Sequence, residues 1–142
     1  MKKGQDFTGV SVVYFCHDGK GNALLNKRGE NCRDEKGVWD CGGGGLEFGD
    51  KVEETLKKEI AEEYRTDVLG FEFLGYRDVH RERGSQKTHW IALDFKVLVD
   101  REKVSNGEPH KFDEVSWFPI SALPTPLHSQ LPHFLEKYKG RL

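Results

Sequence analysis

The sequence predicts one α+β domain on three observations. The chain has 142 residues, it carries several β-branched and aromatic runs bounded by turn formers, and it contains one long stretch free of Gly and Pro. A chain of this size buries roughly two-thirds of the surface its unfolded form exposes, so no disulfide staple is required. No repeat, low-complexity tract or linker divides it, and residues 1–142 read as a single domain.

Residues 8–16, Thr-Gly-Val-Ser-Val-Val-Tyr-Phe-Cys, run into the turn formers of 17–22. They read as a strand that returns through 23–28 as a hairpin. Residues 29–36 are polar and read as a surface loop. Four glycines in a row, Gly42 to Gly45, are too permissive for a strand interior and suit a tight backbone path. From about residue 50 to residue 65 nothing breaks a helix, and Asp50 stands where an N-cap is wanted. Residues 68–79 and 89–99 read as two long strands that pair as a hairpin around the polar 81–87 segment. A polar loop over 101–114, a short strand over 115–120 and a terminal helix over 127–138, opened by Pro124 and Pro126, complete the chain.

Composition excludes several classes of function. The net charge is -2, from 22 basic and 24 acidic residues, so there is no basic surplus for a nucleic-acid partner. No apolar h-region follows Met1-Lys2-Lys3-Gly4, and no run of apolar residues is long enough for a membrane span, which argues against secretion and membrane insertion. Cys16, Cys32 and Cys41 are odd in number with no C-x-x-C pair, and they read as reduced thiols in a cytoplasmic protein. Charged residues reach 32%, yet three Trp and nine Phe supply bulky core material.

Chemistry concentrates on the helix. At 100° per residue Val52, Leu56 and Ile60 fall near roughly 0°, 40° and 80°, one apolar stripe. Glu63 falls inside that stripe near roughly 20°, Glu59 at its edge near roughly -20°, and Glu62 further round the same side. Inward carboxylates are desolvated and repel one another, which raises their pKa values unless a cation balances them. That pattern suits a metal site. A solvated acidic face remains the alternative from spacing alone, since Glu at i, i+3 and i+4 is common on exposed helices.

The glycines upstream add a register. Gly44, five residues, Asp50, seven residues, then Lys58-Glu59-Ile60-Ala61-Glu62-Glu63-Tyr64-Arg65-Thr66 resembles the Nudix box, G-x5-E-x7-R-E-U-x-E-E-x-G-U. Trp39-Asp40-Cys41-Gly42-Gly43-Gly44-Gly45-Leu46-Glu47-Phe48-Gly49-Asp50 likewise resembles the W-x-x-P-G-G-x-L-E-F-G-E run of the MutT-like nucleotide diphosphatases in that family. Trp117 to Pro124 matches the family's closing segment more weakly. The resemblance implies the Nudix fold, an α/β/α sandwich around a central mixed sheet.

This sequence departs from the box at several positions. Gly42 replaces a proline, Asp50 the first Glu, Lys58 the Arg, and Arg65 and Thr66 the terminal Gly and aliphatic residue. In the family the Arg braces the helix against the first Glu. Lys58 and Asp50 keep both signs of charge and so the brace, through a point donor in place of a planar fork. A left-handed helix end at Arg65 costs about 1 kcal/mol for a non-glycine, so the helix is expected to end differently or run on.

By resemblance the chain is a hydrolase of a nucleoside diphosphate linked to a further group X, with Mg²⁺ or Mn²⁺ as cofactor. Glu59 and Glu63 are then the main metal ligands, Glu62 a further ligand or water-orienting group, and the Gly44 carbonyl an additional oxygen, a donor set that suits hard cations. Asp113 or Glu114 is the candidate base. Lys27, Arg28 and Arg81 are candidates for phosphate contact, and Tyr14, Phe48, Trp90 and Trp117 for stacking on a base. The six histidines show no metal-ligand spacing and receive no role.

The Leu46 to Asp50 run and the Trp117 to Pro124 segment favour cleavage of a nucleoside triphosphate to monophosphate and pyrophosphate. No proline follows the box before Pro109, unlike the ADP-ribose subgroup, which leaves an ADP-ribose or nucleotide-sugar diphosphatase second. A non-catalytic nucleotide-binding module is the alternative from another class. The partner expected is a small nucleotide, with neither nucleic acid nor membrane, and a homodimer is compatible with the resemblance.

Overall fold

The computed structural model describes residues 1–142. Its elements in chain order are β1 (Gly9–His17), β2 (Asn22–Arg28), β3 (Trp39–Asp40), β4 (Gly42–Gly45), α1 (Val52–Tyr64), β5 (Val68–Arg83), β6 (Gln86–Val99), β7 (Phe112–Pro119) and α2 (Leu131–Lys137). Short 3₁₀ turns lie at Arg101–Lys103 and Ile120–Ala122. No helix is long and apolar enough to cross a membrane.

The seven strands form one mixed sheet with β1 in its interior. On one side β1 runs parallel to β6 along its whole length, from Gly9 opposite Trp90 to His17 opposite Leu98. Its other edge is shared: Ser11 to Tyr14 pair with β4, whereas only Cys16 and His17 reach β2. The hairpin read from residues 8–28 is therefore closed only at its turn. β2 departs to pair with β7 from Asn22 opposite Pro119 to Arg28 opposite Phe112, and with β3 at Asn26 and Lys27. The sheet forks between β4 and β2.

Period-two alternation along β1 sends its side chains into two cores. Val12, Tyr14 and Cys16 join Leu24, Leu56, Ile60, Tyr64, Phe95, Val97 and Val99 beneath α1. Phe15 joins Ala23, Leu25, Trp39, Cys41, Leu74, Leu131, Phe134 and Tyr138 beneath α2. The result is the α/β/α sandwich, with the sheet as the middle layer. All three cysteines are free and buried.

Several expectations are corrected. The four glycines form β4, a regular strand, because the backbone must approach two side chains closely: a Cβ on Gly42 would fall 1.8 Å from the Tyr14 ring, and one on Gly44 2.5 Å from the Glu59 carboxyl carbon. The N-cap of α1 is Lys51 in extended conformation, with no side-chain cap bond, so Asp50 does not cap the helix. At the other end Arg65 does adopt the left-handed conformation (φ 52, ψ 33), and its N–H donates to Ala61 O. The β5–β6 hairpin is longer than the apolar runs alone suggest, because polar residues 80–83 and 86–88 stay in register up to the turn at Gly84 and Ser85. The terminal helix is shorter than the apolar pattern suggests and begins only at Leu131.

Candidate active site

The Nudix-like helix presents its last turn to the fork in the sheet. Glu63 lies in the apolar stripe and is 2% exposed, as its wheel position requires. Its Oε1 is buried without a hydrogen-bond partner, and its Oε2 lies 3.7 Å from Lys111 Nζ. Burial pushes the Glu63 carboxyl up to about 8; Lys111 opposes the shift and Glu108 adds to it. Glu59, half-buried one turn earlier, is also raised, by burial first and then by the charge of Glu62, with Lys58 working against both. Glu62 is exposed. Gly44 lies so close to Glu59 that an added Cβ would fall 2.5 Å from its carboxyl carbon.

A loop after β6 closes the end of α1. Ser105 N–H donates to Tyr64 O at 3.0 Å and Gly107 N–H to Glu63 O at 2.9 Å, which satisfies helix carbonyls left without partners in the last turn. The Asn106 side chain bonds Glu108 N–H and Phe112 O, and so fixes the segment that carries Glu108 and Lys111. Lys111 Nζ stands 3.8 Å from Glu108. Neither residue had a local signal in sequence, since only the folded loop brings them to the helix.

A cavity of about 280 Å³ opens at the fork and reaches both helical layers, with Glu63 on the α1 side and Leu131 and Phe134 on the α2 side. Arg28, Asp40, Gly42, Gly43, Arg77, Arg81, Trp90, Lys111, Phe112 and His128 are among its other lining residues. Asn26, also in the wall, donates to Tyr64 OH at 2.8 Å and to Cys41 O at 3.3 Å, while its own Oδ1 is left unpartnered. Burial pushes Asp40 up to about 7, against the pull of Arg28 and the Cys41 N–H.

The sequence-predicted residues divide on this geometry. Glu59 packs against Gly44 outside the cavity, while Glu63, Gly43, Arg28 and Arg81 line it. Both arginines are tied to the 29–36 loop: Arg28 to Asp34 at 2.9 Å, Arg81 to Asp34 at 3.2 Å and to Glu35 at 2.7 Å. Lys27 does not line the cavity, and Phe48 is fully exposed beyond β4. Asp113 and Glu114 sit at the start of β7 outside the cavity, with Glu114 accepting from Ser116 Oγ. Of the aromatic candidates Trp90 alone lines the cavity; Tyr14 is fully buried, edge-on to Tyr64, and Trp117 packs under Arg101.

The brace between Lys58 and Asp50 is not formed: no ion pair joins them, and Lys58 is exposed. Asp50 lies before the extended N-cap Lys51, off the helix that carries Lys58, and a lysine has no planar fork to fix such a pairing. Its charge acts instead on neighbouring Glu59.

The donor set fits a hard divalent cation on grounds internal to the structure. Two carboxylates one turn apart have raised proton affinity, one keeps an orphaned buried oxygen, and the other packs against the bare backbone of Gly44, a hard-oxygen set suited to such an ion.

Comparison with known proteins gives a consistent picture. Residues 7–138 match the NUDIX domain family. The chain is 28% identical over 102 residues to the RNA pyrophosphohydrolase of Gluconacetobacter diazotrophicus, covering 62% of this chain and 60% of that protein. It is 28% identical over 96 residues to the nucleoside triphosphatase NudI of an Enterobacter species, covering 63% of this chain and 67% of that protein. The first match thus spans about three-fifths of the relative's length. Among solved structures the fold is similar to a MutT NUDIX hydrolase from Burkholderia pseudomallei, with TM-score 0.81, 24% identity and coverage of 93% of this chain and 98% of that one. It is also similar to the MutT protein of Methanosarcina mazei, with TM-score 0.66, 25% identity and 92% coverage of each chain.

Proposed function

The chain belongs to the NUDIX domain family, and from that premise we propose that it is a pyrophosphohydrolase of nucleoside diphosphates linked to a further group, acting above all on nucleoside triphosphates to give the monophosphate and pyrophosphate. The observation that carries this reading is Glu63: a carboxylate with an orphaned buried oxygen, at the wall of a cavity large enough to take a nucleobase.

Glu59 and Glu63 would hold the cation, Mg²⁺ or Mn²⁺, with the Gly44 carbonyl as a further oxygen and the exposed Glu62 as an additional ligand or water-orienting group. The chemistry such an ion supplies when bound is neutralisation of polyphosphate charge and acidification of water. Lys111 counters the proton affinity that burial gives Glu63. Glu108 is the loop carboxylate whose charge acts on both Glu59 and Glu63. We assign it, ahead of Asp113 and Glu114, the proton released as a water oxygen bonds to phosphorus and the phosphoanhydride bond breaks. Arg28 and Arg81, held in place by Asp34 and Glu35, offer guanidinium groups from the cavity wall to phosphate oxygens. Trp90 offers a ring face and Asp40 a carboxyl edge to the nucleoside.

Support for a triphosphate comes from the Leu46 to Asp50 and Trp117 to Pro124 segments, and from the relative named as a nucleoside triphosphatase. The test is a substrate panel of nucleoside triphosphates, ADP-ribose, nucleotide sugars and 5′-triphosphorylated RNA, assayed with Mg²⁺ in the presence and absence of inorganic pyrophosphatase. Orthophosphate that accumulates from free triphosphates only when pyrophosphatase is added is the expected result. Preferential formation of AMP from ADP-ribose, or of pyrophosphate from RNA ends alone, overturns the substrate assignment. No turnover of any member by folded, Mg²⁺-loaded protein makes the chain a binding module.

A further inference from the structure

We propose a second metal site, for a late first-row divalent ion such as Zn²⁺ or Ni²⁺, on the outer face of the β5–β6 hairpin, formed by Asp78, His80 and His89. The site is separate from the acidic helix and does not depend on the reaction assigned above.

The register of the hairpin creates it. His80 and His89 are direct cross-strand partners, and Asp78 lies two residues from His80 on the same face. The two imidazoles stack with centroids 4.1 Å apart and planes at 22°. One ligand atom from each of the three residues can be chosen so that all lie within 4.8 Å of one another. A tetrahedral ion with bonds of about 2.1 Å spaces its ligands about 3.4 Å apart, so the two rings turn out of their stack and draw together to converge on it.

The outer contacts suit ligation. His89 Nε2 lies 2.9 Å from Asp78 Oδ1, while its Nδ1 lies 3.3 Å from Thr8 Oγ1. With Nδ1–H donating to the Thr8 hydroxyl, the Nε2 lone pair is left to a metal, which is the way a partner outside the ligand set fixes a ligating histidine. Two imidazoles and one carboxylate, with an open side, match the preferences of Zn²⁺ and Ni²⁺ better than those of Mg²⁺. His133 of α2 lines the surface cleft that Asp78 and His80 border.

The experiment titrates Zn²⁺ into the full chain in saturating Mg²⁺, read by calorimetry and by melting temperature. One equivalent is expected to bind, in the parent and in Glu63→Gln alike, with a rise in melting temperature. His80→Ala, at an exposed position, and His89→Ala, at a half-buried one, are made separately and are each expected to weaken that binding at least tenfold and to abolish the rise while leaving Mg²⁺-dependent turnover unchanged. Absence of Zn²⁺ binding in the parent overturns the proposal. So does Zn²⁺ binding that survives both histidine substitutions, or that is lost in Glu63→Gln or in His128→Ala instead.

Discussion

Lys111 Nζ stands 3.7 Å from Glu63 Oε2, and this is the one ion pair the buried carboxylate makes. The same ammonium lies 3.8 Å from Glu108 and 5.3 Å from the centre of the Phe112 ring, so one cation is shared among several electron-rich groups. Two carboxylates against one lysine leave a negative balance at the C-terminal end of α1, where the helix carbonyls already concentrate negative potential. A divalent cation meets a site that lacks positive charge on both counts.

Replacing Glu63 with Gln keeps the volume and removes the charge. Nucleotide hydrolysis is expected to fall at least about a hundredfold, and the Mg²⁺ concentration giving half-maximal rate to rise. The metal-free melting temperature should stay level or increase, because a buried carboxylate without a full set of partners is lost. Turnover at the parent rate would take Glu63 out of the site.

Two glycines of β4 separate structure from chemistry. Gly42→Ala drives a methyl group to 1.8 Å from the Tyr14 ring, which has no room to move in the core, and should cost about 3 kcal/mol or more in urea unfolding. Gly44→Ala meets the flexible end of Glu59 instead, so stability should change by less than about 1 kcal/mol while turnover drops tenfold or more as the carboxylate is displaced. Equal effects of the two substitutions on stability would contradict this division.

Arg65→Gly restores the residue type that the left-handed end of α1 favours. Relief of the side-chain clash at φ 52 should raise unfolding free energy by about 1 kcal/mol with no change in m-value. A destabilised variant would mean that the arginine makes contacts worth more than its strain.

Asp40 gives a pH signature. Its pKa in the folded protein is pushed up to about 7 from an ordinary 3.8, so the native state holds this proton more tightly than the unfolded chain does. The associated stability is complete below about pH 4 and is lost as pH rises through about 7, with a slope of up to about 1.4 kcal/mol per pH unit. In metal-free protein Asp40→Asn is expected to flatten that part of the curve. Parallel curves for variant and parent between those limits would show that Asp40 titrates normally.

How much of this was legible before folding follows from how local each feature is. The inward placement of Glu63 and Glu59 follows from a 3.6-residue period along one helix, whereas Gly44, fifteen positions before Glu59, is joined to them only by the resemblance to the Nudix box. The choice of β6 and β4 as neighbours of β1, with β2 diverted to β7, depends on pairings far apart in sequence, and so the fork and its cavity could not be read from the runs themselves. Glu108 and Lys111 reach Glu63 only because Ser105 and Gly107 bond the end of α1. His80 and His89 are nine positions apart, with no ligand spacing on one strand; they meet because both lie equally far from the Gly84 and Ser85 turn.

The loop that closes α1 has a consequence for timing as well as for shape. Its amides hold the Tyr64 and Glu63 carbonyls, and its side chains supply the charges nearest to the Glu63 carboxylate. A fluctuation that releases Ser105 and Gly107 therefore admits water to that carboxylate, returns its acidity toward that of a free glutamate and withdraws Lys111 in the same motion. Proton affinity at the helix end is thus tied to the closure of a short segment, and whatever stabilises the closed form also holds the carboxylate in its less acidic state.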